Sequence, residues 1–100
     1  MPEHKIHYLP VAQRDLQEIL EYIRLDNPSA ALDLLSRFDE AIAKLSVFPY
    51  MGSMPKDLRL KHLGYRTLVI GNYLVFYVLI NDIVEIRRII QGKRRYEFLL

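Results

Sequence analysis

Cysteine is absent from this 100-residue chain. Its absence excludes a disulfide scaffold, a thiolate metal site and a cysteine nucleophile, and it is consistent with a reducing compartment. Long hydrophobic runs are also missing, because no apolar stretch approaches the roughly 18 residues that span a bilayer. The N-terminus lacks the apolar segment of a signal peptide. The sequence therefore predicts a cytoplasmic protein without membrane contact.

Motifs for metals, cofactors and common hydrolytic chemistry are missing as well. The three histidines, His4, His7 and His62, do not lie at metal-ligand spacing with a carboxylate. No glycine-rich stretch has the spacing of a phosphate-binding or dinucleotide-binding loop. Asp39 and Glu40 are typical of a solvated helix face. We therefore expect no metal and no cofactor.

Hydrophobic residues are plentiful enough for one core, at 51% of the chain. The length is that of one domain, so a single domain is expected over residues 1–100. Residues 1–50 carry five Lys/Arg and eight Asp/Glu, whereas residues 51–100 carry nine and four. The basic second half indicates either contact with an anionic partner or an ordinary uneven surface.

Hydrophobic spacing in the first half predicts a short strand and two helices. Residues 5–9 are typical of a strand, and Pro10 suits the first turn of a helix. Apolar residues at helical spacing follow: Ala12, Leu16, Ile19, Leu20 and Ile23. Pro28 ends this helix, and Asn27 or Ser29 is expected to cap the next one. Its apolar stripe is Ala31, Leu35, Phe38, Ile42 and Leu45.

The second half is rich in β-branched and aromatic residues, which favour strands. Three runs, "YRTLVIG", "YLVFYVLI" and "IVEIRRII", are separated by the turn signals Gly71-Asn72 and Asn81-Asp82. They predict an antiparallel β-meander whose middle strand is the most buried. The expected fold is α+β: an N-terminal strand and an antiparallel helical hairpin packed on one face of a small meander sheet.

Arg88 is the first candidate site residue. Strict alternation would put it on one strand face with Val84, Ile86 and Ile90. An arginine among aliphatic residues indicates either an ion pair with a helix carboxylate, such as Asp15 or Glu18, or a contact with a partner.

A second candidate site follows the last strand in "GKRRY". Lys93, Arg94 and Arg95 are adjacent and precede Tyr96. Such cations suit a phosphate or an acidic partner, although a solvated tail is the alternative. The apolar residues Tyr96, Phe98, Leu99 and Leu100 favour docking on the sheet. We expect Arg66 to join this cluster, on the premise that the first meander strand starts where the third one ends.

Taken in order, four stretches resemble the RelE/ParE superfamily of type II toxins: "LPVAQRDLQEILEYI", "FPYMG", "YRTLVIGNYLVFYVL" and "VEIRRIIQGKRRYEFLL". The resemblance covers nearly the whole chain. It implies a compact sheet flanked by a helical hairpin. It also implies a toxin that is neutralised by a cognate antitoxin, whose C-terminal segment wraps around it.

The two branches of the superfamily differ in target. RelE-like members cut mRNA on the ribosome, whereas ParE-like members poison DNA gyrase without a nuclease site. RelE-like enzymes usually carry an arginine where this chain has Leu74, often a histidine at Gln91, and a tyrosine at Leu100. These departures favour the ParE-like branch.

The resemblance assigns different residues under each alternative. Target binding would use Lys93, Arg94, Arg95, Tyr96 and Arg88. A RelE-like nuclease would instead use Arg94, Lys93, Arg66 and Tyr96 as its catalytic set. A degenerate member that only binds its antitoxin is a third alternative.

Overall fold

The computed structural model describes residues 3–92 and residue 100. Seven elements follow one another along the chain: β1 (Lys5–Tyr8), α1 (Pro10–Asp26), α2 (Pro28–Val47), α3 (Leu58–His62), β2 (Arg66–Ile70), β3 (Tyr73–Ile80) and β4 (Ile83–Gln91). The predicted α+β class, the helical hairpin and the meander are confirmed. The short helix α3 was not predicted, because its five residues show no complete amphipathic period.

The four strands form one sheet in the order β1-β4-β3-β2. β2, β3 and β4 pair antiparallel as a meander. β1 adds a parallel edge strand, in which Lys5 pairs with Ile83 and Tyr8 with Ile86. The predicted burial of the middle strand is confirmed, since four consecutive residues of β3 are buried: Val75, Phe76, Tyr77 and Val78.

Local signals explain the turns and the helix boundaries. Gly71 has a φ of +59°, and Asn81 and Asp82 have φ values of 51° and 64°, as tight two-residue hairpins require. Asn27 is the single residue between α1 and α2. Its side chain accepts a hydrogen bond from the backbone N–H of Ala30 at 3.1 Å, which caps α2.

The main core lies between the helical hairpin and one face of the sheet. Buried residues from α2 contribute Leu34, Phe38, Ile42 and Leu45, which pack against Val75, Tyr77, Val84, Ile86 and Ile89. The predicted stripe of α2 is wrong at one position. Leu34 enters the core, whereas Leu35 is half-buried and lies between the two helices.

A second cluster covers the opposite face of the sheet. Its buried members come from α3, the strands and the segment before β2: Leu60, Tyr65, Phe76, Val78 and Ile90. Leu74 and Leu100 pack against it, and Arg59 Nη2 donates to the carbonyl oxygen of Leu100 at 3.2 Å. Docking of Leu100 is therefore observed, whereas Tyr96, Phe98 and Leu99 lie outside the described residues.

The predicted strict alternation in β4 is wrong beyond Ile86. A bulge shifts the register between β3 and β4, so that Ile86 pairs with Tyr77 but Arg88 pairs with Phe76. The additional residue brings Ile89 into the main core beside Val84 and Ile86, and it sends Ile90 to the second cluster.

Candidate functional site

Arg88 forms an ion pair with Asp15 of α1. Asp15 accepts from Arg88 Nε at 2.8 Å, from Arg88 Nη2 at 3.0 Å and from the backbone N–H of Ile89 at 3.0 Å. The hydrogen bond to Asp15 raises the pKa of Arg88 above its ordinary value, so the guanidinium stays charged. The predicted ion pair is confirmed with Asp15 as the partner. A target contact by Arg88 stays a prediction.

A cleft of about 330 Å³ surrounds this pair, between α1 and the last residues of β4. Its lining combines polar, aromatic and aliphatic side chains: Asp15, Glu18, Ile19, Tyr22, Tyr73, Arg88, Ile89, Ile90 and Gln91. Gln91 is two residues before Lys93. Lys93, Arg94, Arg95 and Tyr96 themselves lie outside the described residues.

Arg66 stabilises the loop that follows α2. One terminal nitrogen donates to the carbonyl oxygens of Tyr50 at 3.1 Å and Gly52 at 2.8 Å. The guanidinium carbon lies 5.0 Å from the centre of the Tyr50 ring, within cation–π range. These contacts assign Arg66 a structural role in the loop. Its predicted role in catalysis stays a prediction.

The buried side chain of Tyr77 also stabilises the loop that follows α2. Its hydroxyl donates to the carbonyl oxygen of Pro49 at 2.8 Å and accepts from the N–H of Gly52 at 2.9 Å. Burial raises the pKa of Tyr77, despite the opposing effects of the Gly52 N–H and the Arg66 charge. A Cβ at Gly52 would lie 2.6 Å from the Tyr77 hydroxyl and 2.7 Å from the Thr67 carbonyl oxygen, so only glycine fits.

The premise that placed Arg66 beside the end of β4 is wrong. The first and third strands of a meander run in the same direction, so the start of one and the end of the other lie at opposite ends of the sheet. Arg66 pairs with Tyr77, which pairs with Ile86, whereas Gln91 pairs with Tyr73. Arg66 and Gln91 are therefore separated by the four-residue step from Tyr73 to Tyr77 along β3, roughly 13 Å.

The face of the sheet beneath α3 is apolar around Leu74. Leu74, at the position where RelE-like nucleases carry arginine, packs against the second cluster with Phe76, Val78 and Ile90. Its neighbours Leu60 and Tyr65 cover this face. Arg87 also lies on this face, with its guanidinium carbon 5.5 Å from the centre of the Tyr65 ring, and its Nε donates to Glu85 at 2.9 Å.

The outer side of the helical hairpin carries an apolar groove that the sequence did not predict. About 340 Å³ in volume, it is lined by Gln17, Leu20, Glu21, Arg24, Pro28, Ala31, Leu32 and Leu35. Leu32 lies in the second turn of α2 and is 67% exposed. An apolar residue outside the predicted stripe of α2 was the available signal for this groove.

The described residues contain neither a metal-ligand cluster nor a helix that could span a membrane. Across residues 3–92 and 100, no group of three His, Asp or Glu side chains could hold a metal ion. None of the helices in that part of the chain combines the length and apolar character needed to cross a membrane.

Solved structures with this fold include two from toxin–antitoxin systems. A chain of the chromosomal ParDE TA system from P. aeruginosa superposes with a TM-score of 0.75 at 18% identity, covering 91% of this chain and 98% of that one. A chain of the toxin-antitoxin complex RelBE2 from Mycobacterium tuberculosis superposes with a TM-score of 0.62 at 20% identity. The match covers 89% of this chain and 98% of that one. The fold is thus that of the RelE/ParE class.

The family comparison is more specific. The family described as the ParE toxin of the type II toxin-antitoxin system parDE matches residues 6–96. The chain belongs to this ParE toxin family, which confirms the resemblance and the ParE-like branch. The comparison with curated protein sequences finds no match.

Proposed function

We propose that this toxin acts by binding and poisoning DNA gyrase rather than by cutting RNA. The observation that carries the proposal is the apolar sheet face at Leu74. A metal-independent nuclease needs a base, an acid and cations held at the scissile phosphate. Leu74, Phe76 and Ile90 provide none of these groups.

The described arginines support the same proposal. Arg88 pairs with Asp15, Arg87 pairs with Glu85, and Arg66 donates to two backbone carbonyl oxygens. A nuclease would have to draw its phosphate contacts chiefly from Lys93, Arg94 and Tyr96. As a binding surface, Lys93, Arg94, Arg95 and Tyr96, together with Arg88, need only complement an acidic or anionic surface. Both candidate targets are cytoplasmic, so the proposal implies a cytoplasmic toxin.

The test compares purified gyrase with a translation extract that contains ribosomes and a defined message. We expect the toxin to accumulate gyrase–DNA cleavage complexes and to leave the message intact. Arg94→Ala should abolish the complexes, and Lys93→Ala should reduce them less. Arg14→Ala, which removes an exposed cation of α1, is the matched control and should retain activity.

Two outcomes would contradict the proposal. Site-specific cleavage of the message in the ribosomal A site, lost in Arg94→Ala, would establish the RelE-like alternative instead. Inactivity of the folded protein in both assays would indicate a degenerate member that only binds its antitoxin. The thermal midpoint of Arg94→Ala should equal that of the wild type, which separates lost function from lost folding.

We also propose that the apolar groove of the helical hairpin receives the cognate antitoxin. An amphipathic segment that folds on binding can cover Leu20, Leu32 and Leu35 with its apolar side. Carboxylates of the same antitoxin would meet the basic residues near the end of β4. Removing exposed apolar surface from water provides the affinity.

Leu32→Glu tests this docking site. A carboxylate in the groove loses hydration when the antitoxin binds. The dissociation constant of the toxin–antitoxin complex should therefore rise about a hundredfold. Titration calorimetry measures the change, and co-expression should no longer rescue growth. The matched control is Leu25→Glu, since Leu25 is 76% exposed at the hairpin tip and outside the groove. Equal neutralisation of both variants would exclude the groove as the site.

A further inference from the structure

A separate cleft lies at the opposite end of the sheet from Gln91. About 240 Å³ in volume, it is lined by Tyr50, Met54, Lys61, Gly64, Tyr65, Arg66, Tyr77 and Leu79. It forms because β3 continues to Ile80, whereas β2 begins at Arg66, opposite Tyr77. No part of the hairpin groove is shared with this cleft.

The floor of the cleft offers an open strand edge. The backbone of Thr67 exchanges two hydrogen bonds with Ser53 on the outer side of β2. The backbone N–H and C=O of the preceding residue, Arg66, therefore point toward β3, where Arg66 pairs with Tyr77. Alternation then directs the N–H and C=O of Leu79 to the same side as those of Tyr77, beyond the start of β2. β2 provides no residue opposite Leu79, and among the described residues the turns and loops provide no backbone hydrogen bond to these two groups.

The rim of the cleft is basic. Lys61 and Arg66 line it, and its lining contains no acidic side chain; the acidic residue of the flanking segment 49–66 is Asp57. The Asp57 carboxylate accepts from the N–H of Leu60 at 3.0 Å, where it caps α3. The positive charge of the rim is therefore complementary to an acidic partner.

Exposed apolar side chains interleave with these cations. Tyr50 is 63% exposed and Met54 53% exposed, and Leu58 and Leu63 are exposed on α3 and just after it. Methionine, aromatic and basic residues are typical of protein–protein interfaces. Exposed leucines and methionine provide little for a nucleic acid, whose phosphates and base edges are polar, so the composition favours a protein.

We propose that this cleft binds an extended acidic segment of a partner protein. The segment adds its backbone beside Leu79, inserts an apolar side chain between Tyr50 and Met54, and brings a carboxylate to Lys61. Gly64 leaves room for the chain, because a Cβ placed there would meet nothing within 4 Å. This surface is additional to the antitoxin groove and to the basic residues that follow β4.

The test uses a synthetic peptide in which Asp or Glu alternates with Leu or Phe, titrated into the isotopically labelled full-length chain. We expect shifts of the backbone amides of Gly64, Arg66 and Leu79 and of the Met54 methyl group. Lys61→Glu should weaken binding about tenfold. Lys44→Glu, the same charge change on α2, should alter it by less than about twofold.

Two further probes decide between the possible ligands. A peptide with Asn and Gln in place of Asp and Glu should bind far more weakly, and an oligouridine of equal length should leave the cleft resonances unchanged. Equal binding of the amide peptide, stronger binding of the RNA at the same residues, or shifts confined to other surfaces would each overturn the proposal. Neither gyrase nor antitoxin is used, so this result is independent of the proposed function.

Discussion

Phe38→Ala is expected to lower the free energy of unfolding by about 3–5 kcal/mol. Phe38 is fully buried between the helical hairpin and the sheet, with its ring centre 6.3 Å from that of Tyr73. Truncation removes the ring from the core and leaves a cavity that the surrounding strands can only partly fill. Because small domains are stable by about 5–15 kcal/mol in total, the variant should be close to unfolding at 37 °C.

Thermal unfolding followed by circular dichroism measures this effect. The midpoint should fall by at least about 12 °C, since 1 kcal/mol corresponds to about 4–8 °C in a domain of this size. Leu32→Ala is the matched control, because Leu32 is exposed in the same helix and should change stability by no more than about 0.5 kcal/mol. An unchanged midpoint in Phe38→Ala would contradict the packing of α2 on the sheet.

Asp15→Ala is expected to cost about 2–3 kcal/mol, less than the 3–5 kcal/mol typical of a fully buried ion pair. The side chains of Asp15 and Arg88 remain 13% and 21% exposed, so water partly compensates the loss. The substitution removes three acceptor contacts at once and leaves the Ile89 N–H without its carboxylate. Denaturant unfolding at neutral pH provides the measurement.

A double-mutant cycle isolates the pair itself. Asp15→Ala combined with Arg88→Met should cost less than the sum of the two single changes, because each single change leaves one charge behind. Glu21→Ala is the control, because Glu21 pairs with Arg24 on the exposed face of the same helix. The unfolding midpoint of this variant should stay near that of the wild type. Strict additivity in the cycle would show that the ion pair does not couple α1 to β4.

The helices and turns were predictable because their signals are local. Proline at the start of α1 and α2, the Asn27 cap, and the glycine and asparagine of the two hairpin turns act within a few residues of chain. The family resemblance was also available from stretches read in order, and the family match over residues 6–96 confirms it. The nature of the fold and the toxin class therefore needed no coordinates.

The candidate surfaces were predicted less well. The choice of Leu34 over Leu35 depends on how α2 is rotated against the sheet, and two adjacent leucines leave that rotation undetermined. The hairpin groove and the Tyr50–Arg66 contact join residues that are distant in sequence or unrelated in pattern. The position of Arg66 relative to β4 was wrong for a simpler reason, since it rested on a false premise about strand direction.

By itself, the sequence determined the two long helices and the four strands, because helix periodicity, turn residues and caps are properties of short stretches. Tertiary structure decided the parallel pairing of β1 with β4, the bulge that separates Ile89 from Ile90, and the selection of Asp15 over Glu18 as the partner of Arg88. Each of these depends on the relative register of elements distant along the chain. Register is set by the packing of the whole core, so no local pattern contains it.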